Sequence, residues 1–143
     1  MILIDANLLL YAYNSSAKQH KAARTWLEGV LSSTAPVRLA WMTILAFLRI
    51  STSARVFPSP LSIGEAIRCV AEWLDQPSVD VLEPGERHFP LLTSLLPAAQ
   101  AQGALVMDGH LAALAIEHGA TMYTTDRDFA RFAGLRVVNP LEE

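Results

Sequence analysis

The chain has a single cysteine, Cys69, among its 143 residues. An internal disulfide is therefore excluded, and a reducing compartment is the expected setting. The neighbours Ile67, Val70 and Ala71 suit a packed thiol rather than a nucleophile. Charge is scarce as well: 17% of residues are Asp, Glu, Lys or Arg, and the net charge is −3. That composition argues against the broad basic face of a general nucleic-acid binder, but not against a small basic rim around an acidic centre. No basic segment precedes the first apolar run, which argues against a secretory signal. His88 to Met107 lacks Asp, Glu, Lys and Arg and has the length of a membrane span, but Pro90, Pro97, Gln100, Gln102 and Gly103 interrupt it. A cytoplasmic protein without a membrane segment is expected. Repeats, low-complexity tracts and linkers are lacking. With 52% hydrophobic residues, a single domain over residues 1–143 can bury a sizeable core.

What is present alternates between strand and helix signals. Ile2 to Ile4 reads as a central parallel strand, and Asn7 as the cap of a helix through Leu8 to Tyr13. A second helix runs from about Lys18 to Leu31, with Ala22, Ala23, Trp26, Leu27 and Val30 on one face. Val37 to Leu39 is a strand and Trp41 to Ile50 a mostly buried helix. Pro60-Leu61-Ser62 opens a helix to about Asp75, with Ile63, Ala66, Ile67, Val70, Ala71 and Leu74 as its apolar stripe. Val79 to Leu82 is a strand, Glu86 to Ala101 a helix, and Asp108 to His118 a deeply buried helix stopped by Gly119. Thr121 to Thr125 is a strand, Phe129 to Phe132 a helical turn and Arg136 to Val138 a last strand. This alternation implies an α/β fold, a three-layer α/β/α sandwich around a central parallel sheet.

Three aspartates stand where apolar runs stop: Asp5 after Ile2-Leu3-Ile4, Asp108 after Leu105-Val106-Met107, and Asp126 after Met122-Tyr123-Thr124-Thr125, with Asp128 two residues on. In a parallel sheet, strand ends meet in one crevice beyond their carboxyl termini. Carboxylates gathered there repel one another unless a hard divalent cation such as Mg²⁺ joins them. Singly, Asp108 reads as a helix cap and Asp126 and Asp128 as turn residues. Asp5, within an apolar segment, needs a partner. Together they are as consistent with a shared metal site as with separate structural roles.

The segment Ile-Leu-Ile-Asp5-Ala-Asn7-Leu-Leu-Leu-Tyr-Ala resembles the opening of a PIN domain. Asp108-Gly-His-Leu-Ala-Ala-Leu-Ala-Ile-Glu-His-Gly resembles its central acidic helix, and Thr124-Thr125-Asp126-Arg127-Asp128-Phe129 its third acidic motif. Gly134-Leu135-Arg-Val-Val-Asn139-Pro140-Leu141 is similar to the ending of the VapC-type toxin branch. The resemblance spans essentially the whole chain. It implies a PIN-like fold and a Mg²⁺-dependent endoribonuclease, with Mn²⁺ as an alternative ion, acting as the toxin of a type II toxin–antitoxin pair. It implies metal-activated water as the nucleophile, ends carrying a 5′-phosphate and a 3′-hydroxyl, a small VapB-type antitoxin as partner, and a homodimer. By position, Asp5, Asp108 and Asp126 are implied as catalytic metal ligands, with Asp128 as a further member. Asn7, Thr124 and Thr125 are implied as supporting residues. Arg49, Arg127 and Arg131 are candidates for contact with RNA phosphates.

One position departs from that pattern. Many PIN domains carry Glu three residues before the Arg of the middle helix, where this chain has Ala46 before Arg49. No acid lies between Glu28 and Glu65. Glu72 and Glu117 face away from the expected site, so one well-held metal is expected rather than two. An inactive PIN module that binds RNA or an antitoxin is the rival reading. A haloacid-dehalogenase-like phosphatase would want a second Asp two residues after Asp5, where Asn7 stands. His110 and His118 read as a partly exposed helix residue and a C-terminal dipole partner; His20 and His88 carry no signal. Trp26, Trp41 and Trp73 suit core or interface packing.

Overall fold

Residues 1–142 are described by the computed structural model of the chain. The elements run β1 (Ile2–Ile4), α1 (Ala6–Tyr13), α2 (His20–Leu31), β2 (Val37–Ala40), α3 (Trp41–Ser51), α4 (Ile63–Leu74), β3 (Val79–Leu82), α5 (His88–Ala98), α6 (Ala104–His118), β4 (Thr121–Tyr123), a 3₁₀ turn (Arg127–Arg131) and β5 (Val137–Val138). The sheet is parallel throughout, in the order β3-β2-β1-β4-β5. Alternating side chains divide its two faces. Ile4, Val37 and Leu39 pack with α1–α4, whereas Leu3, Ala40 and Met122 pack with α5, α6 and Phe129 of the 3₁₀ turn. This is the three-layer arrangement expected from the alternation of strands and helices.

The order places β1 and β4 side by side although most of the chain separates them; Ile4 lies opposite Tyr123. The chain extends from β1 toward β2 and β3 on one side and from β4 toward β5 on the other. The gap between β1 and β4 is thus the topological switch point, where open α/β sheets bind ligands.

Several boundaries differ from the sequence reading, each for a local reason. The cap of α1 is Asp5, not Asn7: Asp5 keeps extended backbone (φ −77°, ψ 152°) and its side chain accepts a hydrogen bond from Ala6 N. The strand passes into the helix with no linker, so Asn7 already lies in the first turn. Leu105-Val106-Met107 is not a strand-like run ending in an acid; it is the start of α6, with Leu105 buried and Val106 and Met107 exposed. Asp108 is therefore delivered from inside a helix rather than as a cap. Helix α5 is shorter than expected at both ends, with Pro97 in its last turn and Gln100 at φ 53° beyond it. The stripe of α4 also divides: Ala66, Val70 and Trp73 are buried, while Ile63 and Ile67 are 58% and 53% exposed. Ser62 and Glu65 form the capping box that starts this helix.

Helix α6 is held against the sheet by Leu111 to Ala115, all buried, and ends at Gly119, whose φ of 71° suits glycine. Gly109 is buried next to Asp108. A Cβ there would collide with Leu96 Cδ2, so the missing side chain lets Leu96 of α5 close on α6.

Candidate metal centre

The end of β1 is tied to the end of β4 by a chain of hydrogen bonds. Asp5 N donates to Tyr123 O at 3.0 Å, continuing the ladder one residue past the strand. The carboxylate of Asp5 then receives two donors: Ala6 N on Oδ1 at 2.8 Å and the Thr124 hydroxyl on Oδ2 at 2.7 Å. Thr124 is 1% exposed, and its Oγ1 also accepts from Asp126 N at 3.0 Å. One buried hydroxyl thus sets both the rotamer of Asp5 and the turn that carries Asp126. Asp126 Oδ1 in turn accepts from Asp128 N at 2.9 Å and caps the 3₁₀ turn.

Helix α6 leads into β4 and runs antiparallel to it, so its N-terminal turns lie at the same rim. There one carboxylate oxygen each from Asp108, Asp126 and Asp128 lies within 4.8 Å of the others. Asp5 stands outside this tight group, fixed by its two donors, yet its charge acts on Asp108 and the charge of Asp126 acts on it. Burial, then the charges of Asp126, Asp5 and Asp128, push the Asp108 carboxyl up to about 6. Burial also raises Asp5, against the lowering effect of its hydrogen bonds. Acids held in this way are short of positive charge, and the donors are all hard oxygens. The residues present therefore fit a divalent cation of the Mg²⁺ or Mn²⁺ kind.

The other residues singled out from sequence are placed unequally. Asn7 is half-buried, and among the described residues its side chain makes no hydrogen bond. Thr125 lies beside Asp126 in the wall of an adjoining cleft. Arg127 is 94% exposed, 3.9 Å from Glu142. Arg131 is already engaged, donating to Ala99 O at 2.9 Å and fastening the 3₁₀ turn to the end of α5. Arg49 is exposed in the last turn of α3, and no described acid lies within ion-pair distance of it. Helix α3 brings no acid to the site, since Ala46 stands where one would be. Glu117 is engaged elsewhere, accepting from Gly85 N and Arg87 N at 2.8 and 2.9 Å.

Sequence reading missed one pair. His88 is buried, and its Nε2 lies 3.0 Å from His110 Nδ1, so one imidazole donates to the other across α5 and α6. Burial, then the charge of His88, push His110 below its ordinary value. No local signal links residues this far apart. His118 Nε2 meets Glu83 O at 2.8 Å, a partner across the fold rather than the helix end alone.

The raised acids have a consequence for stability. A carboxyl whose folded pKa is raised stabilises the fold below its ordinary value and loses that contribution as pH rises through the folded pKa. For Asp108 the window runs from 3.8 to about 6. The full rise corresponds to about 3 kcal/mol, which solvent around a half-buried group reduces to about 1 kcal/mol. Without divalent cations, the Tm is expected to fall by about 4 °C between pH 4.5 and 6.5. Excess Mg²⁺ should remove most of that slope. A flat profile without cations, measured by thermal unfolding, would contradict this electrostatic picture.

The chain is similar to known proteins over its whole length. The family model described as PIN domain matches residues 2–135. Ribonuclease VapC37 of Mycobacterium tuberculosis is 44% identical over 98% of this chain and 97% of its own length. Ribonuclease VapC33 of the same species is 42% identical over the full length of both. Among solved structures, VapBC2 from Rickettsia felis bound to a promoter DNA fragment has a TM-score of 0.70 at 17% identity, covering 97% of this chain and 98% of that one. At that identity the likeness concerns the fold.

Proposed function

This chain belongs to the PIN domain family, with VapC ribonucleases as full-length relatives, and from that premise we propose that it is a divalent-metal-dependent endoribonuclease, the toxin of a type II toxin–antitoxin pair. The observation that carries the reading is the convergence of Asp108, Asp126 and Asp128 at the switch point, with Asp5 joined to them through Thr124.

Asp5, Asp108 and Asp126 would hold the ion, with Asp128 as the exposed fourth acid. When bound, Mg²⁺ or Mn²⁺ supplies Lewis-acid chemistry: it acidifies water near neutral pH and offsets charge on a phosphate. A cation held there would offset the charges of Asp126, Asp5 and Asp128 and so would favour the ionised form of Asp108. Thr124 keeps Asp5 in one rotamer by donating to Oδ2. Arg127, free of the core, approaches a phosphate of the RNA. Hydrolysis leaves a 5′-phosphate and a 3′-hydroxyl. With Ala46 on α3, the acids hold one ion well rather than two.

The test is cleavage of an RNA pool with Mg²⁺, with EDTA, and with Asp5→Asn. Cleavage by wild type that EDTA or the substitution abolishes supports the reading. Identical behaviour of wild type and Asp5→Asn overturns it, and favours the second reading, a PIN module that binds RNA or an antitoxin without cutting; the missing acid at Ala46 is the observation behind that alternative. Thr124→Val should lower kcat by about 10–100-fold, the usual loss when a partner orienting a metal ligand is removed. Thr124→Ser, which keeps the hydroxyl, should restore most of it. Equal activity in the two variants would count against the hydroxyl's role.

The partner in this reading is a small antitoxin, and the toxin itself dimerises. Trp41 and Leu45 on α3 are 49% and 61% exposed, and Ile63 and Ile67 on α4 also face outward. Apolar side chains left open in this way suit a partner's helix. Co-expression with the product of an adjacent short open reading frame should relieve toxicity and yield a stable complex.

A further inference from the structure

Next to the acidic cluster, between the 3₁₀ turn and the end of β5, lies an open cleft of about 390 Å³. It shares a wall with the candidate metal centre, because Asp126 lines both. Ala130 and Val137 give it apolar surface, and Asn139 and Thr125 give it polar edges. The oxygen of the Asn139 side chain is taken by Leu141 N at 3.0 Å, which leaves the amide N–H groups as its donors. At the mouth, Arg127 and Glu142 face each other at 3.9 Å, both well exposed.

We propose that this cleft is the subsite for the nucleoside adjoining the scissile phosphate, and that it sets the base preference of the enzyme. The inference rests on the ribonuclease reading above. Its volume falls within the range of small-ligand sites, about 300–1,000 Å³. Single-stranded RNA is read by bases splayed against side chains and hydrogen-bonded along their edges. Here the apolar surface of Ala130 and Val137 receives the base, and the Asn139 amide and Thr125 hydroxyl meet its edge. Arg127 reaches the flanking phosphate, which competes with Glu142 for the guanidinium. Sharing Asp126 with the metal centre fixes the distance between the base that is read and the bond that is cut.

The test uses four fluorescein-labelled hexanucleotide RNAs that differ in one central base. Binding is measured with the Asp108→Asn protein in Mg²⁺, and cleavage with the otherwise wild-type chain. The expected result is discrimination of at least about 10-fold between best and worst base, the scale of one good edge contact. Asn139→Ala and Ala130→Leu, each added to both proteins, should flatten it to about 2-fold. Arg127→Ala should weaken all four RNAs alike and reduce the salt slope of binding by about 1. Glu142→Gln should tighten all four by about 3-fold, as expected when a competing surface pair is released. The proposal is overturned if the unsubstituted cleft does not discriminate, or if both cleft variants keep the same preference. If the wild-type chain cuts none of these RNAs, the binding series still decides whether the cleft reads a base, and the RNA-pool assay with Asp5→Asn decides the ribonuclease reading separately.

Discussion

Asp108→Asn is expected to lower RNA cleavage by at least about 10³-fold while making the metal-free protein more stable. The first effect follows from the loss of a charged oxygen at the centre of the acidic group; deleting one electrostatic partner of a reacting site costs about 10²–10³-fold, and here cation affinity falls as well. The second follows from the carboxyl being pushed up to about 6 by burial and by Asp126, Asp5 and Asp128. A neutral amide of the same shape removes that repulsion, so at pH 7 without divalent ions the variant should melt about 4 °C above wild type. For wild type, Mg²⁺ at about 100 times its Kd should add about 2.7 kcal/mol, an increment the variant should largely lose. Thermal unfolding with and without Mg²⁺, alongside a cleavage assay, separates a disabled site from a disabled fold. Full activity in the variant would remove Asp108 from the metal site. A lower Tm than wild type in EDTA would contradict the repulsion.

Phe129→Ala should be the most damaging single truncation near the site. Phe129 is fully buried in the 3₁₀ turn and packs with Phe132 and α6 on the face of the sheet that also holds Leu3 and Met122. Removing a buried phenyl ring costs about 3–5 kcal/mol, a large part of the about 5–15 kcal/mol that keeps a domain folded. The Tm should fall by more than about 10 °C. Phe47 makes a useful contrast, being equally buried on the opposite face against Tyr13 and Trp73. Phe47→Ala should cost a similar amount in urea unfolding. Phe129→Ala should in addition raise the Mg²⁺ concentration needed for half-maximal stabilisation, because the turn it anchors carries Asp126 and Asp128. If both variants need the same Mg²⁺, the ring supports only the fold.

Much of this was legible in the chain because the signals are local. The apolar triplet Ile2 to Ile4 before Asp5 reads as a buried parallel strand, and it is one. Gly119 after a helix apolar nearly all round marks the end of α6. The match of Thr124 to Asp128 with a known motif needed no coordinates. Other features failed where one local pattern admits two structures. Leu105-Val106-Met107 is apolar enough for a strand, and only its continuity with the helix after Asp108 made it the first turn of α6. The stripe of α4 follows helical periodicity, but periodicity alone does not say where the neighbouring helices stop covering it. Ile63 and Ile67 therefore lie outside.

By itself the sequence determined the alternation of strands and helices, the parallel sheet, and which acids end near its rim, since these depend on residue type and spacing along a few turns. Only the tertiary structure decided how those acids relate. Thr124, 119 residues on from Asp5, joins it to Asp126. His88 finds His110, and Arg131 donates to Ala99 O. Glu142 comes to face Arg127 at the mouth of the cleft. Each is a hydrogen bond or ion pair between segments that the sheet order brings together, and a side chain's partner depends on that order rather than on its neighbours in sequence.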